Sequence, residues 1–207
     1  MRRFVLIGQT ASASGEFSVE DLPGSSGRLD VLLRAIRAAL LVSHGLRRNV
    51  LVYLVLRGGG VPARLLRIDG RTAKFLRPDE RSLATLVKKT LCAVPAPSHS
   101  FVEIRPGLEL RQGDLAELVA ELGAAPCFLL HEGGRDVREQ TVAADDAWFF
   151  IGDHLGFDGP SLALLEAHGC QPISVGPVSL HSDDVVALVS NELDRRFGVE
   201  KTPTPEG

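Results

Sequence analysis

Apolar positions along this chain follow two rhythms that alternate from one segment to the next. Leu29, Leu32, Leu33, Ile36 and Leu40 recur at the spacing of one helix face, because 3.6 residues complete a turn. The pattern predicts an amphipathic helix from residue 29 to about Gly45. Residues 50–56 are continuously apolar and β-rich, which suits a strand covered on both faces. Shorter runs at 3–7, 101–104, 127–130, 148–152 and 172–175 predict further strands. Residues 64–68, the pair Asp69-Gly70 and residues 73–77 read as a hairpin with a tight turn. Asp79 is placed to cap a helix over 80–91, and Asp114 with Glu117 makes a capping box for one reaching Leu122. Two more helices are expected at 160–168 and 185–197. Residues 16–27 and 94–98 read as loops, and 198–207 as a disordered tail. Strands alternating with helices argue an α/β fold with a mostly parallel sheet, here one domain over 1–197.

Composition narrows the class. The 207 residues are 44% apolar and 24% charged, ordinary values for a globular protein with a real core. No apolar run approaches the roughly 20 residues a membrane helix needs. The first seven residues lack the long apolar region of a signal peptide. Cys92, Cys127 and Cys170 are scattered without paired spacing, which argues for a reducing, cytoplasmic setting. The net charge of −3 hides an asymmetry: through Arg105 there are 17 basic and 8 acidic residues, and the remainder reverses the sign. Six arginines and one acid, Asp30, fall between Arg28 and Arg57. Such a basic half suits a polyanion-binding face, and the guanidinium fork pairs bidentately with phosphate. Structural ion pairs are the competing reading.

Three predicted strands of the second half run into unusual loops: HEGG at 131–134, IGDHLG at 151–156 and SVGPVS at 174–179. In a parallel sheet these emerge on one side, at the strand ends where open α/β sheets bind ligands. Glycine there lets backbone amides and carbonyls approach a ligand closely. Neither GxGxxG nor the P-loop pattern occurs. His131, His154, His181, Glu132 and Asp153 adjoin the loops, so a metal site is a rival, although no metal-binding spacing is present and no metal is expected.

Six motifs, the three loops together with DLPGSSGRLD at 21–30, SHGLRRNV at 43–50 and PDERS at 78–82, resemble the tRNA (pseudouridine(54)-N(1))-methyltransferase family. The resemblance covers about residues 1–197 in order. It implies the SPOUT fold, a Rossmann-like sheet whose segment 126–197 forms a trefoil knot. It also implies a homodimer, a tRNA substrate and S-adenosylmethionine as cofactor. Carried over by motif, Leu130, Gly152, Gly156, Ser174, Val175, Gly176, Pro177, Val178, Ser179 and Val185 contact that cofactor. Family members often carry cysteine where Val185 stands, and cysteines where Leu33 and Ala35 stand in the early helix. These departures mark a divergent branch.

The chemistry then requires N(1) of pseudouridine, which carries a proton, to meet the methyl donor in line. Positioning contributes most. A carboxylate to take the proton and an arginine to stabilise charge on the base carbonyls complete the set; Asp30 and Arg28 are the candidates. Arg47, Arg48 and Arg81 are candidates for gripping RNA phosphates. Alternatives are the same chemistry on ribosomal RNA or at another tRNA position, a non-catalytic RNA-binding homologue, and a metal enzyme built on the histidines.

Overall fold

The structure is a computed structural model and describes residues 1–93, 98–142 and 146–198. Most of the expected loop over 94–98 and of the expected tail over 198–207 falls outside them. In chain order the elements are β1 (Arg2–Ser12), α1 (Leu22–Ser25), α2 (Leu29–Leu40), β2 (Leu41–Val42), β3 (Gly45–Leu46), β4 (Val50–Gly58), β5 (Arg64–Asp69), α3 (Glu80–Cys92), β6 (Val102–Arg105), β7 (Leu108–Gln112), α4 (Leu115–Val119), β8 (Cys127–Asp136), β9 (Ala147–Gly152), α5 (Gly159–Ala167), β10 (Gln171–Ser174) and α6 (Ser182–Phe197).

Eight strands form one sheet in the order β10-β8-β9-β1-β4-β5-β7-β6. The first five run parallel and the last three join antiparallel. This is the α/β, mostly parallel architecture expected from the alternation of elements. The central strands explain their own sequences. Phe4 and Leu6 of β1 face a core with α2, α3 and α6, whereas Val5 and Ile7 face another with α4 and α5. A strand buried on both sides has no polar alternation to show.

Local signals held where the partner was nearby in sequence. Asp79 accepts the amide of Ser82 at the start of α3, and the capping box of Asp114 and Glu117 opens α4. The hairpin over 64–77 does not form. The Asp69 carboxylate accepts the Arg71 amide and the Asp69 carbonyl accepts that of Ala73, and the chain then leaves the sheet. The free edge of β5 is taken instead by β7, through Leu66 with Leu110 and Ile68 with Leu108. The helix expected to reach Gly45 ends at Leu40, because Leu41 turns extended and begins the small β2–β3 pair. The helix expected to reach Leu122 stops at Val119. The loop expected after residue 130 begins as strand: Arg135 and Asp136 pair with Ile173 and Ser174 of β10.

The last two elements cross the molecule. The α5 helix covers one face, β10 lies outside β8, and α6 returns to the other face against α2. There Arg196 donates to the carbonyls of Val137 and Gln140. Near the same end, Asp194 accepts from the fully buried Arg2 at 2.6 Å and from Arg47 at 2.7 Å. Removing one partner of such a cluster strands charge in a low-dielectric interior, which costs about 3 kcal/mol or more. Asp194→Ala is therefore expected to lower stability by about 3 kcal/mol, read as a lower urea midpoint at unchanged slope.

Candidate active site

The middle of β8, at Leu130, His131 and Glu132, and the C-terminal ends of β9 and β10 line one cavity of about 440 Å³, within the range of ordinary ligand sites. Its shape depends on the turn after β9. The Asp153 carboxylate is buried and accepts the amides of Gln9 and Leu155, both at 2.8 Å. The Gln9 side chain donates to the Gly156 carbonyl at 2.9 Å, and the Ser182 hydroxyl to the Gly152 carbonyl at 2.8 Å. The turn is thereby tied to the end of β1 and the start of α6. Gly152 lies so close to Gly156 that a Cβ would collide with its backbone, and Gly156 has φ of +75°. Both positions require glycine.

All the residues expected to touch the cofactor line this cavity, Pro177 excepted, which lies in the same loop but not on the wall. Leu130, Ile151, Val175 and Val185 give an apolar wall, and the glycine turns offer backbone donors and acceptors. Such a mixture fits a flat nucleoside with polar edges. Sequence reasoning did not single out Ser182 or Gln9. Neither carries a local motif, since each acts across the fold. His131, Glu132 and Asp153 line the cavity, but among the described residues no three of His, Cys, Asp and Glu gather in a way that could hold a metal.

Arg28 and Asp30 lie at the same sheet edge. Gly27 packs on the Thr10 carbonyl, where a Cβ would collide, and its own carbonyl accepts the Thr10 hydroxyl at 2.9 Å. This seats the loop over the end of β1. Arg28 has φ of +65° and forks onto Asp30 through Nε at 3.0 Å and Nη2 at 3.2 Å. Arg34 adds a third bond at 3.1 Å. Burial pushes the Asp30 carboxyl up, but the bonds from the two arginines outweigh it and hold the group below the usual carboxylate range. Both its oxygens are engaged, so the geometry suits Asp30 to holding Arg28 rather than to taking a proton. The hydrogen bonds that Arg28 donates to Asp30 raise the Arg28 pKa, and the charge of Asp153 in the cavity adds to it. The guanidinium stays charged and is 40% exposed, but neither Arg28 nor Asp30 lines the cavity, and Arg28 is linked to it only through the charge of Asp153.

The three arginines assigned to RNA are engaged to different degrees. Arg47 is largely buried against Asp194. Arg48 donates to the carbonyls of Gly70 and Arg71 and has no ion pair among the described residues. Arg81 is exposed and pairs with the equally exposed Glu20, a pairing weak enough for a phosphate to displace. No helix among the described residues is long and apolar enough to cross a membrane.

Residues 1–197 match the family of SAM-dependent RNA methyltransferases. The tRNA (pseudouridine(54)-N(1))-methyltransferase of Methanococcoides burtonii is 41% identical over 95% of this chain and 98% of its own. The enzyme of the same name from Methanosarcina mazei is 43% identical over 94% and 92%. Among solved structures, Archaeoglobus fulgidus Nep1 bound to S-adenosylhomocysteine superposes with a TM-score of 0.63 over 93% of this chain and 97% of that one, at 16% identity. That degree of likeness speaks for the fold.

Two outcomes follow from this geometry. Gly152→Ala forces the turn away from Gly156 and is expected to weaken S-adenosylmethionine binding at least about tenfold by calorimetry, while the circular dichroism spectrum stays unchanged. Asp30 has a lowered pKa in the fold, so its stabilising contribution is complete above the unfolded value and fades as pH falls through the folded one. Asp30→Asn lacks that component. Below about pH 4 its melting temperature should fall less steeply with acid than that of the wild type.

Proposed function

This chain belongs to the tRNA (pseudouridine(54)-N(1))-methyltransferase family of SAM-dependent RNA methyltransferases, and we propose that it methylates N(1) of pseudouridine 54 in tRNA by the following division of labour. The observation that carries the reading is one cavity in which the glycine turn after β9 and the Gly176 loop after β10 meet Leu130, His131 and Glu132 of β8, with Arg28 held by Asp30 outside that lining.

S-adenosylmethionine, when bound, supplies an electrophilic methyl group on a sulfonium. The chain's own residues do the rest. The walls from Leu130, Ile151 and Val175 take the adenine, and the amides and carbonyls around Gly152, Gly156 and Gly176 meet its polar edge. Val185, at the first turns of α6, closes the floor. Arg28 faces the incoming base and stabilises negative charge on its carbonyls as the N(1) proton leaves. Asp30 and Arg34 fix the fork of Arg28 in place, so it need not reorganise during the reaction. Glu132 stands exposed on the cavity rim, a carboxylate free to receive the proton or pass it to water.

Further parts of the reading rest on placement. The excursion of β10 outside β8, followed by the return of α6 beneath the 137–140 backbone, supports a knotted passage within 126–197. Leu155, Val178 and Leu180 are 56%, 65% and 42% exposed around the cavity mouth, an apolar rim suited to a second copy in a homodimer. A tRNA-modifying role and unpaired cysteines fit the cytoplasm. Arg48 and Arg81 are the assigned phosphate contacts that stay available; Arg47 serves α6.

Transfer of labelled methyl to tRNA carrying pseudouridine at position 54, against the same tRNA with uridine there, tests the function. Only the former should be labelled, in N(1)-methylpseudouridine. Labelling of both, or of ribose, would overturn the reading. Arg28→Ala should lower kcat about 100-fold while cofactor affinity is retained. Asp30→Asn, which loosens the arginine without removing it, should cost less.

A further inference from the structure

Phe75 is 82% exposed, the most exposed of the large apolar side chains among the described residues, and holds φ of +64°. A bulky residue in the left-handed region is uncommon and costs backbone strain. Exposure of an aromatic ring on such a backbone forgoes burial as well, so packing does not account for it. Leu76 and Pro78, just after it, form one wall of a groove of about 690 Å³ whose other wall is Arg37 and the residues 41–46 of the β2–β3 pair. The surroundings are cationic. Among the described residues no ion pair engages Lys74, Arg37 or Arg77, and Arg48 spends its donors on carbonyls alone. The nearby carboxylates are already used: Asp69 by Arg71, Asp79 as the cap of α3, Glu80 by Arg34.

An exposed ring offers one flat face that every nucleobase can stack on, and basic side chains around it hold the backbone phosphates. We propose that Phe75, with Lys74 and Arg37, is a second contact for the RNA substrate, an unstacked base seated on the ring at the groove's edge. The proposal rests on the reading of the chain as a tRNA methyltransferase. The spacing supports it. The groove lies at the end of α2 opposite Arg28. The helix has twelve residues, which span about 18 Å. About five stacked nucleotides at roughly 3.4 Å each cover the same length. An RNA arm that presents one base at the cavity is therefore long enough to bring another, about five nucleotides away, to Phe75.

The test uses the full chain and compares Phe75→Ala, Phe75→Trp, Lys74→Ala and Arg37→Ala with wild type, by methyl transfer and by direct tRNA binding. Phe75→Ala should raise KM for tRNA about tenfold, with kcat at saturating tRNA and cofactor affinity unchanged, and Phe75→Trp should stay near wild type. Each lysine or arginine removal should flatten the slope of log affinity against log salt by about 0.7. Wild-type KM and affinity in Phe75→Ala, a loss that Trp does not restore, or a changed sedimentation coefficient pointing to a protein partner would each overturn it. If the wild type transfers no methyl to tRNA, the function above fails by itself, and the direct binding measurement still decides the role of Phe75.

Discussion

The turn that follows β9 is held from both sides at once, and the site exists because of it. Asp153 spends its two oxygens on the amides of Gln9 and Leu155, and Ser182 fixes the Gly152 carbonyl. These bonds join the ends of β1 and β9 to the beginning of α6. Each is short, partly sheltered from water and made to a backbone group, so none can be traded for solvent without leaving a buried polar atom unsatisfied. The hollow in front of the turn is consequently rigid, and its glycines present backbone rather than side chain to whatever enters.

The same economy governs the charged residues of the basic half. Its arginines divide by what compensates them. Arg47 and Arg57 are taken by carboxylates of distant elements and hold the fold. Arg28 is also paired, but to a buried carboxylate that leaves one edge of the guanidinium outward. Among the described residues Arg37 and Arg77 have no such partner. Sign and number alone cannot make this division, because a folded protein uses its arginines for internal and external anions alike.

What could be read from the chain beforehand follows the range of the interactions. The strands β1 and β4, the helix α2 and the caps at Asp79 and Asp114 are written within a few residues of themselves. The glycine turns after β9 and β10 were legible for a related reason: a tight backbone approach demands glycine whatever the partner; Gly133 and Gly134 also read as a loop but continue β8. The exchange of β7 for the expected hairpin strand was not legible, since Leu108 and Leu110 find Ile68 and Leu66 across some forty positions. Ser182 and Gln9 were silent too. A hydroxyl or an amide announces a hydrogen bond but not its address.

The buried Arg2 reaches across 192 positions to Asp194. A ribosome releases the arginine 192 residues before the aspartate. Until α6 emerges, the first strand carries a guanidinium without its Asp194 contact, and β1 is central to the sheet. The settling of the central sheet therefore waits on the emergence of α6, and a chain without that helix leaves the Arg2 guanidinium short of the Asp194 carboxylate.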